Sequence, residues 1–362
     1  MTPWVQLLGP ALAVAAIGAL VLGGDALWPG RGRLWGWVSV LMLLALLLVP
    51  SALGAAGVAP HRAYVAGPWS LFVQRVLLCS AILAVLGSMD WLESRAGGRQ
   101  AEYLALLLFS TSGMMMIPGA RDWALLVVSF ELMGIPLYAL VAWAKNDGPP
   151  ERPRLAAEAG LKLFVTGTAS SALTFFGLAL VVGLSGSTRL DAIVDPGRAP
   201  LAAVGMLLIV AGFGFKIGAV PFHFWVPDTY QGAPTPFVAF LSVAPKLGGL
   251  AALGVILLHG WNGEAAFWRP AVVLLSAASM LVGNLFALNQ TDVRRLLGFS
   301  GIAQMGYVLI GLASDTRAGL AMALFFMATY VFTNLGAFLV LHAGAEGSGG
   351  HRSSTPSRPL TN

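Results

Sequence analysis

Apolar runs of about 20 residues recur along this chain, each long enough to cross the roughly 30 Å of hydrocarbon in a bilayer. Lipid offers nothing for backbone N–H and C=O groups to bond, so such runs must satisfy those groups internally, as helices. The spacing predicts eleven spans: 4–22, 34–53, 69–89, 101–119, 122–143, 156–184, 201–226, 234–259, 267–287, 296–313 and 318–342. Gly and Pro break the segment 54–68, which is too short to be another. The first run lacks the positive leading region of a signal peptide and reads as a retained helix. After Leu341 the chain turns rich in Gly, Ser and Pro. Residues 1–342 are therefore expected to form one transmembrane domain and 343–362 a disordered polar tail.

Composition agrees and excludes other classes. The chain is 57% hydrophobic and 10% charged, against about 25% charged in ordinary globular domains. Its net charge of +5 is spread over loops without a basic cluster, which argues against nucleic acid as a partner. One cysteine, Cys79, excludes an internal disulfide and is too few for an iron-sulfur cluster. The five histidines have no ligand spacing within one helix, and there is no GxxxxGK[ST] phosphate loop. No cofactor and no metal are expected in this chain, so an ion gradient or a partner must supply energy for any transport.

Loop arginines and lysines set the expected orientation. Those after odd-numbered spans are Arg31, Arg33, Arg95, Arg99, Lys145, Arg152, Arg154, Arg294, Arg295, Arg352 and Arg358; those after even-numbered spans are Arg62, Arg121, Arg189, Arg198, Arg269 and Arg317. The excess places the odd loops in the cytoplasm and the N-terminus outside.

Three of the chain's four lysines, Lys162, Lys216 and Lys246, lie within the apolar runs, and so does Glu131. Each costs roughly 2.5–3.5 kcal/mol to insert near a bilayer centre, which makes an ion or proton pathway the default reading. Glu131 is in mid-span, on one helix face with Gly134 and Tyr138, where the small Gly134 admits a close partner. Pro136 removes the donor that would serve the Leu132 carbonyl. Lys216 stands among Gly212, Gly214, Gly218 and Pro221, a composition that breaks a helix beside the charge. Lys246 follows Pro245 and shares a face with Ser242 and Gly249. Lys162 is nearer a helix start, from which a lysine can also snorkel. His223, beside the break, can relay a proton or hold a loose carbonyl. Residues 290–295 (QTDVRR) read as a solvated loop. Three ammonium groups against one carboxylate form an unbalanced set, and Lys216 is the expected partner of Glu131.

The stretch FKIGAVPFHFWVPDTYQGAPTPFVAFLSVAPKLGGLAAL, with FELMGIPLYALVAW before it and NLFALNQTDVRRLLGFSGIAQMGYVLIGLA after it, resembles the antiporter-like membrane subunits of proton-pumping NADH:quinone oxidoreductase, respiratory complex I. PDTYQGAPTP makes it most similar to the subunit N group. The resemblance implies an all-α, polytopic bundle with inverted repeats and a broken helix in each. It implies a hydrated proton path in the inner membrane, running through Glu131, Lys162, Lys216 and Lys246 and coupled to quinone reduction in partner membrane subunits. NADH, FMN, iron-sulfur clusters and quinone would belong to those partners. Gln304 stands where the family often has histidine, and Gly298 and Gly301 stand where it has Ala and Ser. The family fold has about fourteen helices, so the second repeat is expected to be incomplete in these 362 residues. An Mrp-type cation/proton antiporter subunit, or a truncated non-pumping structural or assembly subunit, are the alternatives.

Overall fold

The computed structural model describes residues 7–48, 57–59, 63–95, 97–145, 151–192, 200–261 and 263–352. Arg62, Arg198 and Arg358 of the orientation argument lie outside them. The helices are α1 (Gly9–Leu27), α2 (Gly32–Leu48), α3 (Pro68–Arg95), α4 (Gln100–Met116), α5 (Trp123–Val141), α6 (Glu151–Ser185), α7 (Pro200–Ile217), α8 (Trp225–Gly232), α9 (Thr235–Leu241), α10 (Ala244–Val255), α11 (Ala265–Ala287), α12 (Val293–Ala313) and α13 (Arg317–Arg352). A minimal antiparallel pair, β1 (Gly57–Val58) and β2 (Val65–Ala66), occupies the segment between α2 and α3.

Each of the eleven expected spans holds a helix among the described residues. Ten, counting α9–α10 with its π turn Ile256–Gly260 as one, are long and apolar enough to cross a membrane among the described residues; α2 is shorter. Side-chain caps open α5, α12 and α13, the last with Thr316 Oγ1 accepting from the Gly319 N–H at 3.0 Å. Asp122 Oδ1 accepts from the N–H groups of Ala124 and Leu125 to open α5, and Asp292 Oδ1 from those of Arg294 and Arg295 to open α12.

The continuous segment Thr235–Gly260 is the axis of the bundle: 94% of its apolar window is buried, against 22% for α11 on the periphery. It packs against α3, α7 and α13. The apolar side chains left exposed, such as Leu281 and Leu285 on α11, face outward, where lipid can solvate them.

The structure corrects three expected boundaries. The seventh span ends at Ile217 rather than running to 226, because Gly218 adopts φ +73°, a conformation open to glycine and strained for other residues. The chain then turns through residues 218–224 before α8. The carbonyls freed by this break are met locally: Phe215 O accepts from the Gly218 N–H at 3.0 Å and from Trp225 Nε1 at 2.9 Å, and Gly214 O accepts from the Ala219 N–H at 2.8 Å. The Val220 N–H donates to Ser279 Oγ of α11 at 2.9 Å.

The eighth span is also interrupted, at Ser242–Val243. Pro245 at the start of α10 has no N–H for the Leu241 carbonyl, so the helix restarts at Ala244, two residues before Lys246. Finally, α13 continues past Leu341 to Arg352, where Ala343, Ala345 and Glu346 favour helix; residues 353–362 of the expected tail lie outside the described ones.

Candidate functional site

The two breaks bring Lys216 and Lys246 into the bundle interior. Lys216 is 5% exposed and Lys246 fully buried. Gly249, one turn beyond Lys246 on α10, abuts α7: a Cβ there would lie 3.3 Å from Lys216 Cβ. The two lysines thus flank one helix–helix contact.

Lys216 reaches across to α5. Its Nζ lies so close to Gly134 that a Cβ at that position would stand 2.7 Å away, and it sits 4.3 Å from the centre of the Phe130 ring. It donates to the Tyr138 hydroxyl at 3.4 Å. Glu131, on the same face of α5, accepts from Ser171 Oγ of α6 at 2.7 Å. Ser171 also interacts with the Tyr138 hydroxyl, which feels the Glu131 charge. Glu131 and Lys216 are therefore not in direct contact: among the described residues, Lys216 has no ion pair within 4.0 Å. The expected pair is a cluster in which Ser171 and Tyr138 stand between acid and base, because the ammonium lands over Gly134 rather than over Glu131.

Pro136 frees a carbonyl as expected, and the neighbouring Met133 carbonyl is the one captured. It accepts from Ser110 Oγ of α4 at 2.8 Å. This bond ties α4 to α5 two residues from Glu131.

Lys246 has neither a hydrogen-bond partner nor an ion pair among the described residues. The Tyr230 and Tyr330 rings flank its Nζ, with centres 5.8 and 6.0 Å away. Asn334 of α13 donates to Ser242 Oγ at 2.7 Å, just at the second break.

Lys162 is elsewhere. Its ammonium bonds Glu158 at 2.7 Å and Asp228 at 2.8 Å, and its side chain is 47% exposed. Asp228, in α8, also takes Arg295 at 2.6 Å, and Arg295 reaches Gln231 and Gln290. Residues 290–295 are accordingly not just a solvated loop, since Arg295 anchors α12 to the first break. Burial alone would raise the Asp228 pKa, but the hydrogen bonds and charges of Lys162 and Arg295 hold it below the usual carboxylate range. His223 is buried in the turn after α7, beside the Phe224 ring, and its Nδ1 has no hydrogen-bond partner.

A cavity of about 990 Å³ opens beside this network. It is lined by Arg95, Arg152, Arg294, Gln231 and Asp292 among others. Sequence reasoning missed Ser171, Asp228, Arg295, Tyr230 and Tyr330 as neighbours of the lysines. Uncharged hydroxyls on an apolar face give no periodic signal, and Asp228 stands out only through the PDTYQG motif.

The family model described as NADH:quinone oxidoreductase/Mrp antiporter, transmembrane, matches residues 120–354, which include Glu131, Lys162, Lys216, Asp228, Lys246 and Arg295. The chain belongs to this family. NADH-quinone oxidoreductase subunit N of Desulforamulus reducens is 38% identical over 337 residues, covering 91% of this chain and 69% of that protein. Subunit N of Heliobacterium modesticaldum is 39% identical over 285 residues, covering 78% of this chain but 59% of its own length. Among solved structures, a chain of respiratory complex I from Thermus thermophilus superposes with a TM-score of 0.76 at 32% identity, over 92% of this chain and 70% of its own. The chain is a multi-pass membrane protein of the antiporter-like fold, within the subunit N group.

Proposed function

We propose that this chain is a membrane subunit of a proton-translocating NADH:quinone oxidoreductase and that it carries protons along the bilayer midplane. The observation that carries this reading is the pair of buried lysines, Lys216 and Lys246, each beside a helix break and neither ion-paired among the described residues. A buried ammonium without a counter-charge is costly, and such groups in membranes serve ion or proton movement. Glu131, with Ser171 and Tyr138, supplies an acceptor and a hydroxyl bridge to Lys216. Lys162, held by Asp228 and Glu158 beside the cavity, serves the approach to that cluster. His223 is assigned to the same relay on its place next to the first break.

NADH, FMN, iron-sulfur clusters and quinone belong in this proposal to partner subunits, and the chain sits in the inner membrane with its N-terminus outside. The test measures proton uptake and NADH oxidation together in inverted membrane vesicles holding the assembled enzyme. Lys216→Ala and Lys246→Ala should each lower protons moved per NADH while the subunit still inserts. Unchanged stoichiometry in both would reject the relay.

A further inference from the structure

Three buried polar atoms converge where α8, α10, α12 and α13 meet. They are Lys246 Nζ, Tyr230 Oη and Tyr330 Oη, and each lacks a hydrogen-bond partner among the described residues. Leaving one such group unsatisfied costs about 1–3 kcal/mol, so three at one place need an account. Gly301 of α12 supplies the geometry. A Cβ built on it would lie 2.7 Å from Lys246 Nζ and 2.8 Å from Tyr330 Oη, so amine and hydroxyl border the same methyl-sized space.

The register of α13 is fixed independently. Asn334 bonds Ser242 at 2.7 Å, and Tyr330 and Lys246 lie one turn away from those two residues on their own helices. Two successive pairs therefore join α13 to the second break, one hydrogen-bonded and one aimed but unjoined. Tyr230 is set by its edge-on contact with Phe338 of α13, with ring centres 5.7 Å apart. The rings alone do not explain the arrangement, because their distances from Nζ are at the outer limit of a cation–π contact.

We propose that Tyr330 is the proton carrier next to Lys246, and that Gly301 keeps the space through which the two exchange. This rests on the relay reading above and extends it toward α13. In the step, the Lys246 ammonium gives a proton to Tyr330 Oη while the phenol releases its own O–H proton to a water molecule on its far side. The N–H and O–H bonds break as two O–H bonds form, and the phenol ends with the proton count it began with.

The test uses the assembled enzyme in inverted vesicles and four variants: Lys246→Ala, Tyr330→Phe, Gly301→Ser and the double Tyr330→Phe/Gly301→Ser. Tyr330→Phe keeps the ring and removes one oxygen, so it should lose as much proton uptake per NADH as Lys246→Ala does. A serine hydroxyl at 301 stands beside Nζ and should restore at least part of that loss in the double variant, a rescue that a packing role would not give. If Lys246→Ala lowers pumping and Tyr330→Phe does not, this inference falls and the relay stands. If Lys246→Ala itself has no effect, Lys246 carries no proton and this inference falls, while the Lys216 arm still tests the relay. Should Tyr330→Phe lower the amount of assembled enzyme, Gly301→Ile gives the second arm. It fills the shared space and must also depress pumping, and normal pumping with Gly301→Ile would overturn the proposal.

Discussion

At the scale of single residues, what matters is that Lys216 and Glu131 face one another through hydroxyls rather than through an ion pair. A direct pair would be held mainly by Coulomb attraction, whereas in the proposed relay the proton would pass Tyr138 and Ser171, which bond Lys216 and Glu131 respectively. Removing either end leaves the other charge without its network, so Glu131→Ala and Lys216→Ala should each lower proton uptake per NADH. The double variant should lose little beyond the worse single one, because the residues act as a unit. Additive losses would mean separate roles. The charges were legible in the sequence because hydrocarbon makes each one conspicuous. Ser171 was not, because a hydroxyl can bond its own helix and so carries no insertion penalty that marks it.

At the scale of elements, the helix breaks do the positioning. Gly218 holds the first one with φ +73°, and a Cβ there would also meet Val226 Cγ2 at 2.8 Å. Gly218→Ala should therefore destabilise the protein by about 1–3 kcal/mol, the usual cost of forcing a side chain into that region. Thermal unfolding in detergent would show it, and an unchanged midpoint would contradict the strained turn. The glycines and Pro221 announced this break, while the one at Ser242 was masked by an apolar run that reads as continuous through Pro245.

The same scale holds the salt-linked junction of α6, α8 and α12. Asp228 has a folded pKa below its ordinary value, despite burial, because Lys162 and Arg295 bond it. A depressed carboxylate stabilises the fold above its unfolded pKa, near 3.9, and that stabilisation is lost as pH falls through the lower folded value. With its side chain 33% exposed, its worth at neutral pH is about 1 kcal/mol. Asp228→Asn should lower the unfolding midpoint at pH 7, and the difference should shrink as pH falls through the depressed folded value. Equal midpoints for the two proteins at pH 7 would remove Asp228 from the stabilising network.

At the scale of the whole molecule, the chain has two chemically different ends. Loops after the second, fourth and sixth spans meet at one: Tyr64 bridges Ala120, and Asp122 bridges Arg189. At the other, Arg95, Arg152 and Arg294 line the cavity of about 990 Å³. The alternation of loops, which the sequence showed only as a bias in basic residues, is thus built into the packing. The bias in Lys and Arg predicts that the arginine-lined end faces the cytoplasm, since short loops rich in these residues stay inside. In a Cys79→Ser background, Lys145→Cys lies on the arginine-lined end and Ser187→Cys on the other. A membrane-impermeant maleimide should label the first only from the cytoplasmic side and the second only from outside. The reverse pattern would invert the molecule and put the cavity beside Lys162 on the outer face, so a proton entering there would come from the wrong compartment for the proposed uptake.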